Sequence, residues 1–210
     1  MSTAVLVSLI ILCGLLLGWI LHGRATRHIT PMLKRLAAET NGVVTSNSPF
    51  LMPQLLYSHS GIEVEVSSAS TGIDGQSIEY TYVLFKGLPP HDFDFRIRPR
   101  TITTRVDEWI GFRQASTLDT GRLKNRLVIR TNDDERMHRL LADHIAVDLL
   151  FWAEQKTNRL SDIRTYDDKL IYSIIGLPDD VHEFKRLLHS ASRFMDALAR
   201  VLPREKQGRR

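Results

Sequence analysis

"SIEYTYVLFKG", residues 77–87, reads as a β-strand, and its alternation sets the class of the whole chain. Ile78, Tyr80, Tyr82 and Leu84 fall on one side and Glu79, Thr81, Val83 and Phe85 on the other, the two-residue period of extended backbone. Because Leu84 and Phe85 are both apolar, the strand is expected to be covered on both faces near its end. Two further stretches share the period. In "GIEVEVSS" (61–68) Ile62, Val64 and Val66 face a core with Glu63 and Glu65 opposite. In "DFDFRIRPR" (92–100) Phe93, Phe95 and Ile97 point inward, and Asp92, Asp94, Arg96 and Arg98 point outward. "GIDGQ" and "KGLPPH" supply the turns.

Outward from these strands the pattern changes to helix. "RLVIRT" (126–131) is a strand that leads into "NDDERMHRLLADHIAVDLLFWAEQ" (132–155), a helix capped by Asn132 or Asp133. Its core stripe is Met137, Leu141, Ile145, Leu149 and Trp152, widened by Leu140 and Leu150. "SDIRTYDDKLIYSIIG" (161–176) reads as a hairpin turning at Asp167-Asp168. A last amphipathic helix follows in "LPDDVHEFKRLLHSASRFMDALARVLP", with Phe184, Leu187, Leu188, Ala191, Phe194, Met195 and Leu198 on one face. "TNDDERMHRLL" and "PDDVHEFKRLL" echo each other at a spacing of 47 residues, which a duplicated unit or one capping chemistry used twice would give. Residues 101–125 show only a short amphipathic piece at Val106, Trp109, Ile110 and Phe112 within a long connection.

The fold class is therefore α+β, with a mostly antiparallel sheet of about five to seven strands packed by two long helices on one face. The closing β-α-β-β-α run leaves room for one parallel neighbour.

Residues 4–21 carry no charge, and with their flanks they match the ~30 Å hydrocarbon core of a bilayer. The reading is an N-terminal transmembrane helix at 1–23, with Trp19 and the following His22 and Arg24 as an interfacial anchor. A cleaved signal fits less well, because "MSTA" has no basic residue, and Leu12 before Cys13 does not suit a lipoprotein site. Arg24, Arg27, Lys34 and Arg35 follow with no acidic residue before Glu39, so the soluble domain is expected in the cytoplasm, tethered to the inner (plasma) membrane as a single-pass protein. Gly14 and Gly18 form a small-xxx-small pair, which predicts a homodimer through the membrane helix. Residues 24–42 are a juxtamembrane helix and linker, opening at Thr30-Pro31, carrying apolar Leu33, Leu36 and Ala37, and stopping at Asn41-Gly42. Residues 43–203 form the soluble domain and 204–210 a basic tail.

The chain has 210 residues, 43% hydrophobic and 25% charged, a globular composition. Its formal charge of +4 lies wholly beyond residue 23. Cys13 is the only cysteine, which excludes an intramolecular disulfide and a zinc site built on thiolates. The chain has no Walker loop, G-x-G-x-x-G, G-x-S-x-G or H-E-x-x-H, which leans against an enzyme, and nothing calls for a cofactor. "HDFDF" offers His91, Asp92 and Asp94 as ligand types, with a solvated face as the simpler account. Histidines 138, 144, 182 and 189 sit on the two helices, and the sequence neighbours Asp143-His144 and His182-Glu183 do not face each other on a helix, so acid-base pairing would need partners from elsewhere.

Arg96, Arg98 and Arg100, with Arg105 beyond, form the densest positive stripe, and Arg96 and Arg98 share a strand face. One expectation is cross-strand pairing with Glu63 and Glu65. The other is contact with an anionic surface, together with Arg24, Arg27, Lys34 and Arg35. No aromatic platform accompanies the stripe, which disfavours nucleic acid.

The layout of a span, "LAAETNG", meandering strands, "RLVIRTNDDERMHRLL" and "YDDKLIYSI" resembles a loose group of bacterial single-pass membrane proteins of uncharacterised activity with a C-terminal α+β domain. The resemblance implies a membrane-tethered α+β domain and brings no site residues. The functional expectation is a non-enzymatic interaction or scaffold domain held at a membrane, whose protein partner the sequence does not identify. The alternatives are peripheral recognition of anionic lipid headgroups and an enzyme of unrecognised type.

Overall fold

The computed structural model describes residues 3–46, 52–73, 76–100, 123, 125–141, 143–154 and 159–202. The strands are β1 (Val43–Thr45), β2 (Gln54–His59), β3 (Ile62–Ile73), β4 (Gln76–Lys86), β5 (Phe95–Pro99), β6 (Leu127–Thr131), β7 (Leu160–Tyr166) and β8 (Lys169–Ile175). The helices are α1 (Thr3–Thr40), α2 (Asp134–Leu140), α3 (Asp143–Glu154) and α4 (Val181–Val201).

The eight strands form one sheet in the order β1-β2-β3-β4-β8-β7-β5-β6. Every pairing is antiparallel, so the parallel neighbour is not found. The first four strands are a meander. The chain then crosses to the far end for β5 and β6, and β7 and β8 return to fill the gap. The α+β class and the antiparallel sheet stand, but the count of about five to seven strands falls short. β2 accounts for part of the shortfall, because Leu55-Leu56 interrupts the alternation that marks the other strands.

One face of the sheet is the core. Val64 and Val66 of β3, Val83 and Phe85 of β4, Ile97 of β5, Ile163 of β7, and Leu170, Tyr172 and Ile174 of β8 are all fully buried. For the decisive strand the inward side is therefore the one carrying Thr81, Val83 and Phe85. Against this face lies α4, whose expected stripe from Phe184 to Leu198 is buried throughout. Phe194 is central, with ring centroids 5.8 Å from Phe95 and 6.0 Å from Tyr172.

Capping chemistry accounts for the echo between the two helix starts. Asp133 Oδ1 accepts from the Arg136 amide at 2.9 Å, and Asp180 Oδ1 accepts from the Glu183 amide at 2.8 Å, each meeting an N–H that the first helical turn leaves free. The expected single helix 132–155 is instead two, α2 and α3, parting around Leu141. Both pack on α4, where Trp152 Nε1 of α3 donates to Ser190 Oγ at 3.2 Å, and α3 also reaches β7. Two long helices thus become α4 together with a broken pair.

The N-terminal expectations need the largest correction. α1 is one helix from Thr3 to Thr40 and runs through Pro31, so Thr30-Pro31 is not a helix start. Ile29, Met32, Leu33 and Leu36 are buried at the i, i+3, i+4, i+7 spacing, against β1, β2 and α4. Val5, Leu6, Val7, Leu9, Ile10 and Leu12 are 51–63% exposed. A crossing helix needs about 20 consecutive apolar residues. Among the described residues no helix is long and apolar enough to cross a membrane, and the stretch of α1 from Ile29 to Leu36 is part of the domain core. The transmembrane helix at 1–23, the single-pass integral association with the inner (plasma) membrane, the homodimer through that helix and the cytoplasmic placement derived from it are accordingly unsupported. The surroundings of Gly14 and Gly18, the side chains of Arg24 and Arg27, residues 101–122 and 124, and the 204–210 tail lie outside the described residues.

The stop at Asn41-Gly42 is observed. Asn41 takes φ 53°, and the Gly42 amide donates to Ala37 O at 2.9 Å, closing the last turn.

Candidate functional site

With α1, α2, α3 and α4 on one face, no described helix covers the other face of the sheet. There, β3, β4, β8, β7 and β5 border an open concavity of about 610 Å³. Alternation decides what lines it. Ala69, Tyr80, Tyr82, Leu84 and Ile171 make an apolar floor on β3, β4 and β8, Ser161 and Ser173 stand between, and Arg96, Arg98, Asp162 and Arg164 make the charged wall on β5 and β7. The strands on either side of the concavity fix these positions by register, Leu84 opposite Ile171 and Arg96 opposite Arg164.

The charged wall is a row of like charges. Arg96 pairs in register with Arg130 of β6 on one side and with Arg164 of β7 on the other, so three arginines stand directly opposite one another on three adjacent strands. Directly opposed like charges destabilise a sheet. A single carboxylate offsets them. Asp162 accepts from Arg96 Nε at 2.7 Å and Nη2 at 2.9 Å and from Arg98 Nε at 3.3 Å, and its Oδ2 lies 3.5 Å from Arg164 Nε. The buried Nε atoms of Arg130 and Arg164 have no hydrogen-bond partner. Three guanidiniums share one carboxylate, and Arg130 stands beside them on β6.

The opposite border of the face is acidic. Lys86 Nζ bridges Glu63 Oε1 at 2.9 Å and Glu65 Oε2 at 2.8 Å, and these two carboxylates raise its pKa. The Tyr82 hydroxyl donates to Glu65 Oε1 at 3.4 Å. Burial pushes the Tyr82 pKa up, and the Glu65 charge adds to the effect. The uncovered face therefore runs from guanidinium at β5–β7 to carboxylate at β3, with tyrosine and aliphatic side chains between.

The expected pairing of Arg96 and Arg98 with Glu63 and Glu65 does not form, because β4, β8 and β7 separate β3 from β5. The carboxylate comes from Asp162 on the adjoining strand instead. The expected joint basic surface is also divided. Lys34 and Arg35 are exposed on α1, which packs on the core face at the β1–β2 end, whereas Arg96 and Arg98 line the other face at the β5 end. Sequence reading missed Arg130, Asp162, Arg164, Tyr80 and Tyr82 as site residues. Each is outward by alternation within its strand, but only the strand order brings them together.

"HDFDF" has a structural task. Asp92 pairs with Arg136 Nη1 at 2.6 Å, and this contact holds its carboxyl below the usual carboxylate range. Asn132 Nδ2 donates to Asp92 O at 2.6 Å, and the Asp94 amide donates to Asn132 Oδ1 at 3.0 Å, so the segment ties β5 to the start of α2. Among the described residues no group of three His, Cys, Asp or Glu could hold a metal ion.

No protein-family model matches the chain. No curated protein matches it either. Among solved structures the chain is similar to the crystal structure of the mycobacterial trehalose monomycolate transport factor A, TtfA, at 12% identity and TM-score 0.51, covering 86% of this chain and 99% of that one. At that identity the likeness is one of fold.

Proposed function

We propose that the chain is a non-enzymatic interaction domain that takes its partner on the face of the sheet that no described helix covers. The observation that carries this reading is the row of Arg130, Arg96 and Arg164, in register across three strands, with the single carboxylate of Asp162 paired to Arg96 and Arg164. Opposed guanidiniums cost stability, and rules of local consistency are broken chiefly where a site needs it. Beside the row, Tyr82 and Leu84 are half-buried on a concave surface, the kind of floor that adds apolar contact to a charged anchor. Recognition of this sort needs no nucleophile, general base or metal. The likeness to a protein named a transport factor is one of fold, and the reading rests on the face itself.

A photo-reactive benzoylphenylalanine placed at Tyr82, and separately at the exposed His189 of α4, tests the reading in the full chain within its own cells. Irradiation is expected to add a discrete mass to the peptide carrying position 82 and none to that carrying 189, with the adduct lost when Arg96→Glu is added. Adducts only at position 189, or at 82 regardless of Arg96→Glu, would overturn it.

A further inference from the structure

We infer that the arginine row is a binding subsite for the phosphate of a small organic phosphate monoester whose apolar or aryl body lies on the Tyr80, Leu84 and Ile171 floor. The inference rests on the reading of the uncovered face as the binding surface, and it names the chemistry that this surface takes.

Charge is the first argument. Arg96, Arg98 and Arg164 against Asp162 leave a formal excess of two positive charges (three minus one) lining one end of the concavity, and Arg130 adds another beside them on β6. A carboxylate ligand offers two acceptor oxygens, already the number that Asp162 provides. A phosphate dianion offers three terminal oxygens and twice the charge, closer to what the remaining forks can engage.

Unused donors are the second argument. Arg130 and Arg164 each keep a buried Nε without a hydrogen-bond partner, that of Arg164 holding only a 3.5 Å ion pair to Asp162. They flank Arg96 in register, one strand to either side, so acceptors placed over Arg96 would lie between them.

Size and polarity are the third. About 610 Å³ of open concavity is room for a small molecule. Tyr80, Leu84 and Ile171 give that room an apolar side, and the Glu63–Glu65 border would repel a second anionic group at the far end. A bare inorganic phosphate would leave the floor unused, and a neutral aryl alcohol would leave the row unmatched.

Calorimetric titration of the full chain with phenyl phosphate, inorganic phosphate, benzoate and benzyl alcohol separates these chemistries. Phenyl phosphate is expected to bind most tightly, by about tenfold or more over inorganic phosphate and benzoate, with no heat from benzyl alcohol. Arg164→Gln should weaken phenyl phosphate by about tenfold, and Asp162→Asn should strengthen it by removing the resident competitor. Arg130→Gln on the edge strand β6 removes a charge without touching Asp162, and serves where Arg164→Gln fails to fold. Equal binding of benzoate and phenyl phosphate, or affinities unmoved by both the arginine and the aspartate variants, would overturn the inference. Persistent adducts at position 82 alongside absent phosphate binding would sink this ligand class alone and leave the uncovered face as the binding surface.

Discussion

Asp162 and Arg96 form a two-point ion pair across β7 and β5, with Nε on Oδ1 at 2.7 Å and Nη2 on Oδ2 at 2.9 Å. The carboxylate is the sole acidic partner of Arg96, Arg98 and Arg164 among the described residues, so removing it does more than break one pair. Asp162→Ala leaves the opposed guanidiniums on β5, β6 and β7 without a counter-charge. We expect a loss of about 1–3 kcal/mol in urea unfolding near neutral pH. Because much of that loss is repulsion between partly exposed groups, it should shrink in about 1 M salt, where screening acts within about 3 Å. A salt-independent loss would assign the effect to packing instead.

Gly42 tests a close approach. A Cβ built there would stand 2.7 Å from the Leu56 carbonyl oxygen and 2.9 Å from Leu55 Cδ1, so the turn from α1 into β1 lies against β2 with no room for a methyl group. Gly42→Ala is expected to cost about 1–3 kcal/mol, since a backbone carbonyl cannot move aside as a side chain would. Asn41→Gly next to it should be neutral or slightly stabilising, because Asn41 already holds a left-handed φ of 53°. Urea midpoints of the two variants check the contrast, and equal losses would refute it.

These residues also show how far the sequence is legible. Phe93, Phe95 and Ile97 declare an inward face by alternation alone, and the spacing of Phe184 to Leu198 declares the buried side of α4, because each pattern is local to one element. The arginine row is different. Arg130, Arg96 and Arg164 lie in three separate strands, and nothing in 127–131 or 160–166 says that β5 is inserted between β6 and β7. Strand order is set by long-range packing. The same limit explains the failed Glu63 and Glu65 pairing, which was sound as chemistry and wrong by three intervening strands. At α1 the error runs the other way: a strong local signal, eighteen uncharged residues, outweighed the i, i+3, i+4, i+7 stripe that joins the helix to the core.

Tyr172 is a buried hydroxyl in search of a partner. Its ring is fully buried against Phe194, its oxygen has no hydrogen-bond partner, and burial raises its pKa, with the Asp148 charge adding to the shift. Tyr172→Phe should therefore be neutral or up to about 1 kcal/mol more stable at neutral pH. The pH dependence follows from the raised value. Above the ordinary tyrosine pKa of 10.0 the unfolded chain releases this proton while the folded chain retains it, so the folded state binds more protons and stability falls as pH rises. Tyr172→Phe should flatten that alkaline loss, leaving the part due to Tyr57 and Tyr82, whose pKa values burial also raises. Thermal melts near neutrality and above pH 10 decide it, and an unchanged alkaline slope would count against the assignment.

Arg159 holds the junction from which both the groove floor and α4 depart. Its guanidinium pairs with Glu183 in the first turn of α4, donates from Nη2 to Leu177 O at 2.5 Å and from Nε to Ile175 O at 3.2 Å. Glu183 Oε2 in turn accepts from the Asp179 amide at 2.7 Å. Both partners are largely buried, with side-chain exposures of 11% and 17%, so the carboxylate cannot turn to water when the arginine is removed. Arg159→Met is expected to cost about 3 kcal/mol, and Glu183→Gln less, because the amide oxygen can still accept from Asp179. The double replacement by apolar residues should recover part of the loss, as a removed pair leaves no orphaned charge. A local signature accompanies the global one. Between the two carbonyls that Arg159 binds, Gly176 donates to Glu79 O at 2.7 Å and accepts from Thr81 Oγ1 at 2.8 Å, fastening the end of β8 to β4. Hydrogen exchange at Ser173 to Leu177 should therefore quicken in Arg159→Met more than at Leu170, and uniform acceleration along β8 would show that the arginine acts on global stability alone.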